Sequence, residues 1–346
     1  MKAIRIHKHG SVDVLKTETI RKPQLKSEDV LVRVFATSLN HLDLWVRKGL
    51  PGIRLPLIPG SDASGRIVQQ GSAAKLYSGF KTGEDIIVMP FRTCDDCTFC
   101  NSGIEELCND YKILGESIDG THAQFLAVPY KYILPKPKNL TWDEAAAFPL
   151  AYMTAYHMLT KKIKIQPHNW LLIWGASSGV GSAAIQIAKF FKANIIAIAG
   201  TAEKQNFARQ IGADFAFNYH HDDIVEQVMK ITHGAGVNFV FEHVGQASWP
   251  VSQKSLAKGG AIITCGATTG PVVRIDLRHL FIKHQKIIGS TMGNRQDLLE
   301  VTSLMAKGNL KPNVARIFHF SEIATAHRYF EGGKHLGKVV ISFIEK

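Results

Sequence analysis

Four cysteines, Cys94, Cys97, Cys100 and Cys108, stand at C-x2-C-x2-C-x7-C in one short loop. Four thiolates so spaced make a tetrahedral site with no open coordination position, which is the pattern of a structural zinc, one Zn2+ per chain. Disulfides do not suit a cytosolic chain with five cysteines. A bacterial iron–sulfur run has a three-residue last gap followed by proline, whereas here the last gap is seven residues and Asn109 follows. The fifth cysteine, Cys265, stands apart at the end of a predicted buried strand and reads as a core residue.

A second chemistry-bearing stretch runs from Trp170 to Lys192. Its first five residues, W-L-L-I-W, are a short apolar run suited to a strand buried on both faces. A small-residue turn, Gly175 to Gly181, leads into apolar positions at helical spacing: Ala183, Ala184, Ile187, Ala188 and Phe191. Strand, turn and helix in this order cradle a pyrophosphate at a helix N-terminus. Laid over G-x-G-x-x-G, Ala176 and Ser178 take the first two glycine places and Gly181 the third, with Gly179 and Val180 opening the helix. A turn like this also occurs as plain architecture. The next strand, Asn194 to Ala199, ends in Gly200 rather than in the acidic residue that holds a ribose 2′-hydroxyl, and Lys204 lies just beyond. A lysine without a competing carboxylate pairs with a 2′-phosphate, so the expected cofactor is NADPH. The plain alternative for Lys204 is a solvated helix-surface side chain.

The elements that position these groups divide in two. Residues 1 to about 130 carry short alternating strands, such as Val30 to Phe35, Gly65 to Gln69 and Glu84 to Met89, with glycine and proline between them. They predict an irregular antiparallel barrel or sandwich. Thr141-Trp142-Asp143-Glu144 is a capping box opening a helix. From 131 to 290, strand and helix patterns alternate, which implies a parallel doubly wound sheet. Strands are expected at Asp214–Asn218, Val237–Glu242, Ala261–Cys265 and Ile287–Ser290. The remainder, 291–346, is expected to return to the first domain. Tyr132 and Lys136 have the Y-x3-K spacing of a catalytic helix, but Pro135 between them argues against one.

The 346 residues carry a formal net charge of +12. Lysines and arginines are scattered, with no arginine-rich run or aromatic-interleaved basic motif, so a polyanionic cofactor accounts for the charge better than nucleic acid does. No apolar run reaches the length of a membrane span, and the N-terminus shows no apolar signal core, so the cytoplasm is the expected location.

The four-cysteine loop in an N-terminal β domain, followed by A-x-x-G-V-G, resembles the medium-chain dehydrogenase/reductase superfamily. The likeness runs through N-H-L-D-L-W-V-R-K-G (Asn40 to Gly49), P-G-S-D-A-S-G (Pro59 to Gly65), I-G-A-D (Ile211 to Asp214), G-V-N-F-V-F-E-H-V-G (Gly236 to Gly245) and the closing G-K-V-V. It implies an α/β chain with a GroES-like catalytic domain and a Rossmann domain, the active site in the cleft between them, and a homo-oligomer, dimer or tetramer. In that family's quinone oxidoreductases a lysine and a tyrosine bind the 2′-phosphate; the matching positions are Lys204 and Tyr219. Nicotinamide contacts carry over to Val244, Gly245, Cys265, Gly266 and Ser290.

The departures from the family's zinc alcohol dehydrogenases carry the functional expectation. Asn40, Ser61 and Leu150 stand where a catalytic zinc would find cysteine, histidine and cysteine; Asp62 replaces a following glutamate, and Leu42 an expected relay hydroxyl. These side chains do not make a zinc site. Without a Lewis acid, reduction of a quinone or of a C=C conjugated to carbonyl is favoured, because the charge spreads into a phenolate or enolate that hydrogen-bond donors can stabilise. Asn40 and Asp43 match the N-x-x-D of zinc-free quinone oxidoreductases and enoyl reductases. The resemblance thus implies Asn40 donating to the substrate oxygen, Asp43 orienting it, His41 as a proton source, and a small-molecule substrate. The alternatives are an alcohol dehydrogenase with a metal improvised from His41, Asp43 and Asp62, and a non-enzymatic NADPH sensor or nucleic-acid-binding relative.

Overall fold

Alternating apolar residues in the N-terminal third form a sheet, as the period of two requires. The computed structural model describes residues 1–345. Its first compact unit takes in Met1–Ala151 and Asn294–Lys346, and its second Tyr152–Gly293. The division falls inside the helix Pro149–Tyr156, beyond the expected 130, and again at Gly293/Asn294.

The first unit is built on a seven-stranded sheet. Its central strand, Asp29–Ser38, pairs antiparallel with Asp62–Gln70, Phe125–Pro129 and Lys338–Ser342. Two register shifts against Asp62–Gln70, between Leu31 and Val32 and between Val34 and Ala36, add the curvature that bulges bring. The C-terminal strand Lys338–Ser342 and the start of Asp62–Gln70 flank the same end of Asp29–Ser38, which lies between them and pairs with both. Ile4, Ile6, Leu39, Val46, Val339 and Ile341 form one buried cluster here. Tyr130–Tyr132 is a 3-10 turn that runs into the strand Ile133–Pro135, so Tyr132 and Lys136 share no α-helix.

The second unit is a six-stranded, wholly parallel sheet in the spatial order Phe215–Asn218, Asn194–Ala199, Trp170–Ile173, Val237–Glu242, Leu256–Thr264, Lys286–Gly289. In chain order that is 3-2-1-4-5-6, a doubly wound dinucleotide topology. The run W-L-L-I-W is the central strand because it is apolar on both faces: Leu171, Leu172 and Ile173 are fully buried. The expected fifth strand begins five residues earlier than read, at Leu256; Gly259, at φ +73°, makes an irregularity in it, and its pairing with Val237–Glu242 shifts register between Leu256 and Ala261.

Candidate functional site

Asn40 caps the helix His41–Lys48. The Asp43 carboxylate accepts the Asn40 backbone N–H at 2.7 Å through Oδ2 and the Gly60 N–H at 3.0 Å through Oδ1. Asp43 is almost fully buried. That burial raises its pKa to about 6, against the two N–H donors and the nearby Lys338 charge, with the Asp62 charge adding to the rise. Asp43 thus orients Asn40 through the backbone rather than through the side chain.

The Asn40 side chain belongs to a buried polar cluster. Asp62, wholly buried at the head of its strand, accepts hydrogen bonds at Oδ2 from Ser38 Oγ (2.8 Å), Asn40 Nδ2 (2.9 Å) and Lys338 Nζ (3.1 Å). Its Oδ1 accepts the Leu150 backbone N–H at 2.8 Å. Lys338 Nζ also donates to Asn40 Oδ1 at 2.5 Å. Of the three residues standing in the places of zinc ligands, Asn40 and Leu150 therefore both converge on the Asp62 carboxylate. The third, Ser61, donates its hydroxyl to the Leu114 carbonyl at 2.8 Å. The cation at the centre of this cluster is an ammonium.

His41 lies elsewhere on the same helix turn, its ring packed edge-on to Phe330 at 5.1 Å and near Trp45 at 6.3 Å. The improvised set His41, Asp43 and Asp62 does not converge. Among the described residues, the four cysteines are the one group of three or more His, Cys, Asp or Glu side chains whose ligand atoms come together. Sequence reading also passed over His122 and His327, two buried rings 6.5 Å apart whose nitrogens have no hydrogen-bond partner. Burial pushes His122 down to about 3 and His327 well below the usual histidine value, so both are neutral.

In the cysteine loop, Cys94, Cys97, Cys100 and Cys108 place their sulfurs within 4.8 Å of one another. The Cys97–Cys100 and Cys94–Cys108 separations are 3.5 Å and Cys94–Cys100 is 3.9 Å. A tetrahedron of thiolates about 2.3 Å from zinc has S–S edges of about 3.8 Å, so the donor set fits that ion. The Cys100 N–H donates to Cys97 Sγ and holds its thiol down at about 7. Asp95, at φ +62°, reverses the chain inside the loop; its carboxylate is held by the Tyr132 hydroxyl at 2.7 and 2.8 Å and by Lys131 Nζ at 2.6 Å.

The turn after Trp170–Ile173 is built as a phosphate cradle needs. Gly175, at φ +56°, makes the tight reversal, and a Cβ there would meet the His243 ring at 2.5 Å. The sequence overlay put that role on Ala176, which is fully buried and donates its N–H to the Ile198 carbonyl. Gly181 passes so close to Gly175 that a Cβ would sit 2.3 Å from its carbonyl oxygen. Ser178 caps the helix Gly179–Phe190 by accepting the Gly181 N–H at 2.9 Å. That leaves the first-turn N–H groups of Gly179 and Val180 without intrahelical acceptors. At the next strand end, a Cβ on Gly200 would lie 2.6 Å from the Tyr219 hydroxyl, so glycine lets the tyrosine lie over the strand terminus. Burial lowers the Lys204 pKa one turn into the following helix.

Past the neighbouring strand end, the Glu242 carboxylate fixes the Val244–Gly245 loop. Its Oε1 accepts both N–H groups at 2.7 and 3.0 Å, and its Oε2 accepts Ser248 and Ser252 hydroxyls at 2.8 Å each. Cys265 and Gly266 follow the strand Leu256–Thr264, and Ser290 follows Lys286–Gly289. All of these candidates therefore lie at the carboxyl ends of adjacent parallel strands, where open α/β sheets bind ligands.

An alcohol dehydrogenase GroES-like domain family matches residues 26–138, and a zinc-binding dehydrogenase family matches residues 179–307. A crotonyl-CoA carboxylase/reductase of Cereibacter sphaeroides is 31% identical, covering 96% of this chain and 84% of its own. An NAD-dependent alcohol dehydrogenase of Sulfurisphaera tokodaii is 30% identical over 99% of both chains. A solved NAD-dependent alcohol dehydrogenase superposes with a TM-score of 0.96 at 37% identity, covering 99% of this chain and all of that one. The 2-octenoyl-CoA carboxylase reductase CinF, solved with NADP and 2-octenoyl-CoA, gives 0.89 at 27% identity, covering 99% and 87%. With its GroES-like unit, its doubly wound parallel sheet and these relatives, the chain belongs to the zinc-type medium-chain dehydrogenase/reductase superfamily and is an oxidoreductase.

Proposed function

We propose that this enzyme uses NADPH to reduce a quinone or a C=C conjugated to a carbonyl, enone or enoyl thioester, without a catalytic zinc. The carrying observation is the ammonium of Lys338 held between Asn40 and Asp62. A divalent ion at the Asn40 carbonyl oxygen would face that positive charge at close range in a buried setting, and no thiolate or imidazole offsets it. When bound, the reduced nicotinamide supplies a hydride. Asn40 then donates an amide hydrogen to the substrate oxygen, and the charge that develops there is delocalised as phenolate or enolate. The names of the crotonyl-CoA and 2-octenoyl-CoA relatives support the conjugated-alkene arm of this reading.

The cofactor preference rests on Gly200, Tyr219 and Lys204. The zinc is structural, one per chain, in keeping with a reducing compartment such as the cytoplasm. Oxidation of NADPH against a panel of quinones, enones and enoyl thioesters tests the activity; absence of turnover with all three classes would end this reading. Lys204→Ala should weaken NADPH binding roughly 10-fold or more, the scale of one charge-assisted hydrogen bond, and leave NADH binding unchanged. Equal loss for both cofactors removes the 2′-phosphate role.

The alcohol dehydrogenases among the relatives favour a second reading, an alcohol or aldehyde substrate with an atypical catalytic metal. Metal analysis of the purified enzyme separates the two: about one zinc per chain supports the first and two the second.

A further inference from the structure

An asparagine amide can face a partner in two ways, and its chemistry depends on which. Here both neighbours dictate the same orientation. A lysine ammonium only donates, so it must meet Oδ1; an ionised carboxylate only accepts, so Asp62 must meet Nδ2. The distances, 2.5 Å from Lys338 Nζ to Oδ1 and 2.9 Å from Nδ2 to Asp62 Oδ2, agree with that assignment. Lys338 is 2% exposed and Asp62 wholly buried, so neither partner is replaced by bulk water. One amide hydrogen is thereby committed, the carbonyl oxygen is occupied, and the second N–H has no partner among the described residues.

We propose that Lys338 is a positioning residue for the reduction: it locks the Asn40 amide as a one-way donor and polarises the remaining N–H toward the substrate oxygen. The role rests on the reading of Asn40 as that oxygen's donor. Without the ammonium only the Asp62 bond opposes rotation of the amide, and an acceptor turned toward the substrate repels a developing oxyanion. Lys338 touches neither substrate nor cofactor in this role; it acts through Asn40.

A kinetic double-mutant cycle tests it, with 1,4-naphthoquinone and NADPH as probes and zinc content with thermal midpoint as the check of folding. Asn40→Ala should lower kcat roughly 100-fold, the scale of one lost oxyanion donor. Lys338→Met should lower it roughly 10- to 100-fold, as loss of an orienting outer partner does, with NADPH affinity within about twofold of the parent. The double variant should be no slower than Asn40→Ala alone. Lys338→Arg, which keeps a donor toward Oδ1, should recover much of the loss. Should Lys338→Met not fold, Lys338→Gln takes its place, because its amide tolerates either Asn40 orientation. Multiplying losses in the double variant, or a full rate in Lys338→Met beside a slow Asn40→Ala, would overturn the positioning role. A full rate in Asn40→Ala, or no turnover in the parent, would instead overturn the functional reading and this role with it.

Discussion

Asp43 shows how much one buried carboxyl governs. Two backbone N–H donors and a lysine charge favour its ionised form, yet desolvation outweighs them and brings its pKa to about 6. The ordinary value is about 4, so the folded chain binds this proton more tightly than the unfolded chain does. The stabilisation is complete below about pH 4 and disappears as pH rises through about 6, a loss of about 3 kcal/mol from this group. Asp43→Asn cannot titrate and, with one acceptor oxygen for two N–H donors, carries a constant cost at every pH. Denaturant unfolding of both proteins from pH 4 to 7 should show the parent's advantage shrinking over that range; a difference independent of pH would refute the assignment. The pairing Asn40–Asp43 was legible through the resemblance, whose N-x-x-D the two residues match. The Lys338 contact was not, because 298 residues separate it from Asn40 and only strand pairing brings them together.

Among elements, short spacings that specify a closed shape read well and close backbone approaches read poorly. The cysteine loop was visible from spacing alone, since four thiolates in one segment leave few other arrangements. The phosphate turn was visible as a unit, but its glycine was assigned one place too late. Nothing in G-A-S-S-G-V-G says that Gly175 takes the positive φ; the His243 ring, 68 residues further on, presses on it from outside the turn. Gly175→Ala should therefore strain the reversal and push on a buried ring at once, weakening NADPH binding while leaving the zinc loop intact. Fluorescence titration of NADPH, with zinc content measured on the same sample, checks both halves. For the cysteine loop, a strong chelator should release one zinc together with four newly reactive thiols above the chelator-free baseline. Four thiols already reactive in the untreated enzyme would mean that these sulfurs hold no metal.

At the scale of the whole molecule, the parallel sheet of the second unit leaves one flank unfinished. Lys286–Gly289 pairs on one side with Leu256–Thr264, and its other edge has no strand partner among the described residues. In the stretch just before it in the chain, Val272 is 74% exposed, Leu277 and Phe281 64% each, and Ile282 61%. Exposed apolar side chains and an open sheet edge are both features that proteins ordinarily cover. A second copy suits the site, because an antiparallel pairing of one edge with itself is self-complementary about a two-fold axis. Arg274, Arg278, Lys283 and Lys286 lie in the same stretch of a chain of net charge +12, so two copies meeting along this edge would repel each other electrostatically. Two results should follow. Sedimentation of the parent at micromolar concentration should show a dimer or larger, and association should strengthen with added salt as screening relieves the repulsion. Phe281→Lys, which adds a positive charge to an already basic stretch far from the zinc loop in sequence, should give a monomer that keeps its zinc. A parent enzyme that sediments as a monomer at every salt concentration would show that this edge is left open.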